Sequence, residues 1–143
     1  MELNADILLP GDGADNAVVE GDVLALTAPI SFWGGVDPKT GTIIDARHPE
    51  RGQNIAGRVL ALPGTIGSSS ASAVLLELVH AGRAPAAILM PEPDAILLLG
   101  LVVAREMGWA IPPALRVSAQ DQRTLMGKRV EIEGGLIRSR TAA

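Results

Sequence analysis

The 143-residue sequence contains no cysteine. Disulfides, a catalytic thiol and a thiolate-held zinc or iron–sulfur centre are therefore excluded for this chain alone. Aromatics are nearly absent: Phe32, Trp33 and Trp109 are the only rings of that kind, and there is no tyrosine. Base-stacking platforms need more. Basic residues are also outnumbered, twelve Lys plus Arg against sixteen Asp plus Glu, for a net charge of −4. Nucleic-acid binders usually show the opposite balance. The longest apolar run, Ala95 to Ala104, has ten residues, whereas a membrane helix needs about twenty. The opening Met1-Glu2-Leu3-Asn4-Ala5-Asp6 is acidic and lacks the basic segment and apolar core of a signal peptide. The expectation is a soluble, cytoplasmic chain that engages neither membrane nor nucleic acid.

Against these absences stand 48% hydrophobic residues and only 20% charged ones, which exclude a disordered chain. The length predicts one domain over residues 1–143. Charge is uneven. Residues 1–50 hold nine acidic and two basic groups, and residues 51–143 hold seven and ten. That split is either ordinary solvated surface or a basic rim for an anionic substrate or acidic partner.

Sixteen Gly and ten Pro punctuate short elements. Strands are predicted at Val18-Val19 and Asp22 to Thr27, around a turn at Glu20-Gly21, and at Thr42 to Ile44 after a long loop from Pro29 to Gly41. The middle alternates: a strand Arg58 to Leu62, a helix Ala73 to Ala81 ended by Gly82, and a strand Ala86 to Met90. A helix Ala95 to Met107 follows, capped by Asp94 and ended by Gly108. Trp109 to Ile111 reads as a short strand. Ser118 with Asp121 predicts a capped helix over Ala119 to Met126. Lys128 to Glu133 and Leu136 to Arg138 predict a hairpin across Gly134-Gly135. The sum is an α/β fold with a mixed sheet, in β/β/α layers.

Three segments could carry chemistry. Ser68, Ser69 and Ser70 follow Gly67 where a strand has ended and a helix begins. Free N–H groups and the helix dipole there suit a carboxylate or phosphate, and the same field would acidify a serine hydroxyl. The competing account has one serine as cap and the others as loop filler. The pattern is neither a P-loop nor a nucleophile elbow. Second, His48 lies in a loop beside Pro49, whereas His80 falls in the last turn of a helix, where a cation favours the dipole. Sequence does not bring His48 to Ser68 as a hydrolase triad would need. Third, Phe32 and Trp33 precede Gly34, Gly35 and Asp37. The glycines would let backbone approach a ligand or partner closely, or the two rings plug the core.

Taken together, Pro29-Ile30-Ser31-Phe32-Trp33-Gly34-Gly35-Val36-Asp37-Pro38-Lys39-Thr40-Gly41, His48-Pro49, Ile55-Ala56-Gly57-Arg58, Gly67-Ser68-Ser69, Ala84-Pro85-Ala86 and Glu92-Pro93-Asp94 resemble the small subunit of the aconitase X family, its swivelling domain. The resemblance is strongest over about residues 20–112. It implies a swivelling β/β/α domain with a mixed sheet or barrel-like core. It implies loss of water from a hydroxy acid, catalysed with a cysteine-bearing large subunit that holds iron, generally as an iron–sulfur cluster. No metal is expected on this chain, and the chain alone is expected to be inactive. The family's base serine falls on Ser68, with Gly67, Ser69 and Ser70 as substrate-binding neighbours. Phe32, Trp33, Gly34, Gly35, Asp37 and His48 fall in an interface or site loop. Aconitase itself has an arginine where Ser70 stands, so anion binding here would rest on N–H groups, hydroxyls or the partner.

Two family activities are open: dehydration of cis-3-hydroxy-L-proline to 1-pyrroline-2-carboxylate, and dehydration of mevalonate 5-phosphate. Ten Arg against two Lys gives a bacterial character that favours the first. A third alternative is a non-catalytic assembly or regulatory module of an iron–sulfur dehydratase.

Overall fold

The computed structural model describes residues 1–11 and 18–140. Its chain order is β1 (Glu2–Asn4), β2 (Asp6–Leu9), β3 (Val18–Ala25), α1 (Phe32–Gly35), β4 (Val59–Ala61), α2 (Ala71–His80), β5 (Ala87–Met90), α3 (Ala95–Glu106), β6 (Ala114–Arg116), α4 (Ala119–Leu125), β7 (Arg129–Glu133) and β8 (Leu136–Arg140).

Four strands, β3, β4, β5 and β6, run parallel. Parallel neighbours need crossovers, which the segment carrying α1 and then helices α2 and α3 supply. The hairpin β7–β8 adds antiparallel strands beyond β3. The full order is β1-β8-β7-β3-β4-β5-β6-β2. The two outermost strands are consecutive in the chain: β1 pairs with β8, and β2 pairs with β6. Between them, the Ala5 N–H donates to Gly135 O at 2.7 Å. One N-terminal segment thus spans the two open edges, and the mixed sheet is nearly closed into a barrel. Closure removes the unpaired edges that would otherwise template aggregation.

Both faces of the parallel strands are buried, so β4 and β5 are apolar throughout. Their residues alternate between two clusters. Val59, Ala61, Ala87 and Leu89 join Val23, Ala25, Leu115, Val130, Ile132 and Ile137 inside the barrel, closed by Leu125 of α4. Leu60, Leu62, Ile88 and Met90 point the other way, under Val74, Leu75 and Leu78 of α2 and Leu97 and Leu101 of α3. The small alanines on the inner face fit a narrow lumen.

The predicted helices form where expected. The Asp94 carboxylate accepts the Ile96 and Leu97 N–H groups, and the Ser118 hydroxyl accepts the Asp121 N–H. Beyond the helix ends, Arg83 N–H bonds to Leu78 O and Trp109 N–H to Ala104 O, as glycine-terminated helices do.

Three strand expectations are corrected. Glu20-Gly21 is not a turn but the middle of β3. A Cβ at Gly21 would approach a Val59 methyl at 3.1 Å, so this glycine serves close packing. Thr42 to Ile44 makes only isolated bridges, Val36 with Ile43 and Thr42 with Asn54. Trp109 to Ile111 is not a strand. Pro112 and Pro113 lack N–H donors, pairing resumes at Ala114, and Trp109 instead stacks on His80 with ring centroids 4.3 Å apart. The sequence pattern does not signal strands β1, β2 or β6.

The charge asymmetry resolves across the sheet. Arg129 pairs with Asp22 and Glu20, and Arg138 with Glu2 and Glu133. The hydrogen bond that Arg129 donates to the Asp22 carboxylate raises the guanidinium pKa above its ordinary value. Two arginines of the second half, Arg129 and Arg138, thus reach acidic residues of β3 and β1 in the first.

Candidate active site

Three loops leave the carboxyl ends of β3, β4 and β5, the edge where open parallel sheets bind ligands. The first carries Ser31 to Asp37, the second Gly67 to Ser70, and the third Asp94. The structure joins the first two. The Ile66 N–H donates to Ile30 O at 3.0 Å, within a parallel bridge between Ile30 and Thr65. Gly67 lies against Ser31: a Cβ there would meet Ser31 Oγ at 3.3 Å.

Ser68 is half-buried. Its Oγ accepts the Ser70 N–H at 3.0 Å, and its main-chain oxygen accepts the Ala71 N–H at 3.1 Å. A donor aimed at a hydroxyl oxygen favours negative charge on it. Ser70 occupies the cap position of α2 but makes no side-chain cap bond. Ser69 is exposed, and its carbonyl accepts the Ser72 hydroxyl at 2.9 Å. Ser70 therefore makes no side-chain cap, and Ser68 stabilises the turn that enters the helix, the role the capping account gives to one serine.

Phe32 and Trp33 part company. Phe32 is fully buried in the core beneath α2 and α3, whereas Trp33 is 60% exposed. The turn explains the split. Trp33 (φ −73°, ψ 110°) and Gly34 (φ 81°, ψ −12°) have the torsions of a type II turn, whose third residue requires positive φ and hence glycine. The Ser31 hydroxyl donates to Trp33 O at 2.9 Å. The Gly35 carbonyl accepts the Ile44 N–H at 2.9 Å. Ile44 and Ile66 are 48% and 59% exposed, so apolar side chains flank both loops.

His48 and Asp37 hold backbone. His48 is buried. Its Nδ1 accepts the Glu50 N–H at 3.1 Å, which leaves the proton on Nε2 to donate to Ala28 O at 3.0 Å. The Glu50 carboxylate in turn accepts the Thr27 N–H and hydroxyl. His48 therefore fixes the exit of β3, and neither ring nitrogen is free. Asp37 Oδ1 accepts the Lys39 N–H at 2.9 Å, an Asx turn.

Sequence reasoning missed the contribution of Thr65. Its hydroxyl donates to Asp94 Oδ2. Nothing in the local pattern around Thr65 signals a partner 29 residues away. Asp94 was legible only as a helix cap.

The sequence model of the aconitase X swivel domain matches residues 9–138. The chain belongs to the aconitase X swivel-domain family. The domain is 53% identical over 95 residues to a cis-3-hydroxy-L-proline dehydratase of Pseudomonas aeruginosa, covering 66% of this chain and 16% of that protein. It is 35% identical over 127 residues to the phosphomevalonate dehydratase small subunit of Pyrococcus horikoshii, covering 89% of this chain and 91% of the other. The chain thus spans about a sixth of the first relative and most of the second. Its fold superposes on a chain of the crystal structure of Thermococcus kodakaraensis aconitase X in the holo form, with a TM-score of 0.81, 28% identity and 99% coverage of each chain.

This swivel domain does not fit an iron–sulfur cluster. The chain has no cysteine, and no three His, Cys, Asp or Glu residues gather to hold a metal among the described residues. No described helix is long and apolar enough to cross a membrane.

Proposed function

We propose that this swivel domain is the small subunit of an aconitase X-type hydro-lyase whose substrate is cis-3-hydroxy-L-proline, with Ser68 as the base. The observation that carries the reading is Ser68 itself. It follows Gly67 at the carboxyl edge of the parallel strands, with a main-chain N–H already directed at its oxygen.

The reaction removes the proton on the carbon bearing the carboxylate and the hydroxyl on the next ring carbon. Water leaves, and the resulting enamine tautomerises to 1-pyrroline-2-carboxylate. A proton beside a carboxylate is weakly acidic, so a base must lie within hydrogen-bond reach and developing charge must be stabilised. Serine is a weak base in water. The Ser70 N–H, the start of α2 and exclusion of solvent by a partner each lower the cost of its alkoxide. Gly67, Ser69 and Ser70 supply the substrate's surroundings, through main-chain N–H groups and hydroxyls.

A large subunit completes the site. Relatives of this chain's length are named small subunits, and the hydroxyproline relative is about four times as long. The cysteines and iron belong to that larger partner. Exposed Trp33, Ile44 and Ile66 beside the serine loop give the domain an apolar face to cover. This placement favours catalysis over a purely regulatory module.

The choice of substrate rests on charge. A phosphate carries about −1.5 to −2 at pH 7 and typically draws arginine or lysine. Residues 31–37 and 63–72 contain neither. Arg58 is committed to main-chain oxygens of Asp22 and Val23. A zwitterion with one carboxylate suits N–H groups and serine hydroxyls better. The test is reconstitution with the large subunit, followed by parallel assays. The reading predicts turnover of cis-3-hydroxy-L-proline, none of mevalonate 5-phosphate, and none by this chain alone. The reverse preference would transfer the assignment to phosphomevalonate dehydration.

A further inference from the structure

We propose that Thr65 and Asp94 are positioning residues for the serine loop, fixing Ser68 for proton abstraction through a bond to the start of α3. The inference rests on the reading of Ser68 as base.

Loop 63–70 has to present one hydroxyl at a defined place while it crosses from β4 to α2. Two of its restraints are described above: the bridge to Ile30 and the packing of Gly67 on Ser31. Both come from the loop that carries exposed Trp33. The third comes from the opposite side. The Thr65 hydroxyl donates to Asp94 Oδ2, while Asp94 Oδ1 accepts the Ile96 and Leu97 N–H groups at 3.1 Å each. The Asp94 N–H in turn rests on Met90 Sδ at 3.3 Å. A single carboxylate therefore caps one helix and restrains the loop three residues before Ser68, and it is anchored to the end of β5.

The division of oxygens matters. Capping α3 needs only one acceptor atom, and serine or asparagine would supply it. The second oxygen of Asp94 serves the serine loop. Thr65 is a partly exposed side chain on a connecting segment. Its hydroxyl is the feature the geometry uses. Misplacement of a reacting group by about 1 Å can cost on the order of 100-fold in rate, so a loop tether has kinetic leverage beyond its contribution to stability.

The experiment uses the complex with the large subunit and compares Thr65→Val, Thr65→Ser, Asp94→Ser, the double variant Thr65→Val/Asp94→Ser, and Ser68→Ala. Asp94→Ser keeps a helix cap and removes the reach to Thr65. The proposal predicts that Thr65→Val and Asp94→Ser each lower kcat about 10- to 100-fold with a much smaller change in KM. Thr65→Ser restores most of the rate, and the double variant is no worse than the poorer single one, because both remove one bond. Thr65→Val and Asp94→Ser complexes that melt earlier but retain kcat within about twofold, on the scale of rates that a tether governs, would reduce the pair to a structural role and overturn the proposal. If Thr65→Val fails to assemble, Asp94→Ser and the serine rescue decide by the same criteria. An unimpaired Ser68→Ala complex would overturn the base assignment itself. An inactive Ser68→Ala complex beside normal Thr65→Val and Asp94→Ser complexes would overturn only the tether.

Discussion

Gly67 lies against Ser31: its φ is +97°, and a methyl group on its α-carbon would sit 3.3 Å from the Ser31 hydroxyl oxygen. This contact joins the two loops that carry the candidate base and the exposed tryptophan. The residue is thus constrained twice, by a torsion that side chains rarely adopt and by a neighbour on its open side.

Gly67→Ala is expected to cost about 1–2 kcal/mol of stability through the left-handed torsion. It is also expected to lower kcat of the assembled enzyme, because the strain is relieved by moving the residue immediately before Ser68. Denaturant unfolding of the isolated chain and turnover of the complex check the two parts. A loss of stability with unchanged kcat would separate the glycine from the chemistry.

How much of this arrangement was legible beforehand depended on how local it is. Helices α2, α3 and α4 announced themselves through apolar spacing, Asp94, Ser118 and the terminal glycines, all features within one or two turns. Strands β1 and β2 did not. They are short and largely exposed, and their partners β8 and β6 lie more than 100 residues away. Gly21 read as a turn because glycine usually breaks strands, whereas here it makes room for Val59. The serine loop was recognisable from its own residues. Its contacts with Ser31 and Asp94 were not, since each exists only after β3, β4 and β5 align their carboxyl ends. Likewise, sequence could not separate Phe32 from Trp33, adjacent rings that a single type II turn sends to the core and to solvent.

Gly100→Ala tests the packing beneath the site. A Cβ at Gly100 of α3 would lie 2.8 Å from Ser72 O of α2, main chain that cannot yield without shifting a helix. Overpacking of this kind costs about 1–3 kcal/mol. The expected result is a lower midpoint in chemical denaturation of the isolated chain. An unchanged midpoint would mean that α2 and α3 separate freely.

Trp33→Asp tests the apolar face. Trp33 is 60% exposed, so the isolated chain should keep its melting temperature. Binding to the large subunit should weaken at least about 30-fold, as expected for a buried aromatic anchor worth about 2 kcal/mol or more. Titration calorimetry or co-elution with the large subunit reads this directly. Full affinity would remove Trp33 from the interface.

The most direct measurement is kcat of the assembled complex carrying Ser68→Ala, with assembly and melting temperature recorded on the same sample. Loss of the base predicts a fall on the order of 10²- to 10⁴-fold in kcat. The altered turn before α2 should cost only about 1 kcal/mol. A variant that assembles, melts slightly earlier and turns over at close to the normal rate would contradict the account and leave Ser68 as a turn-forming residue alone.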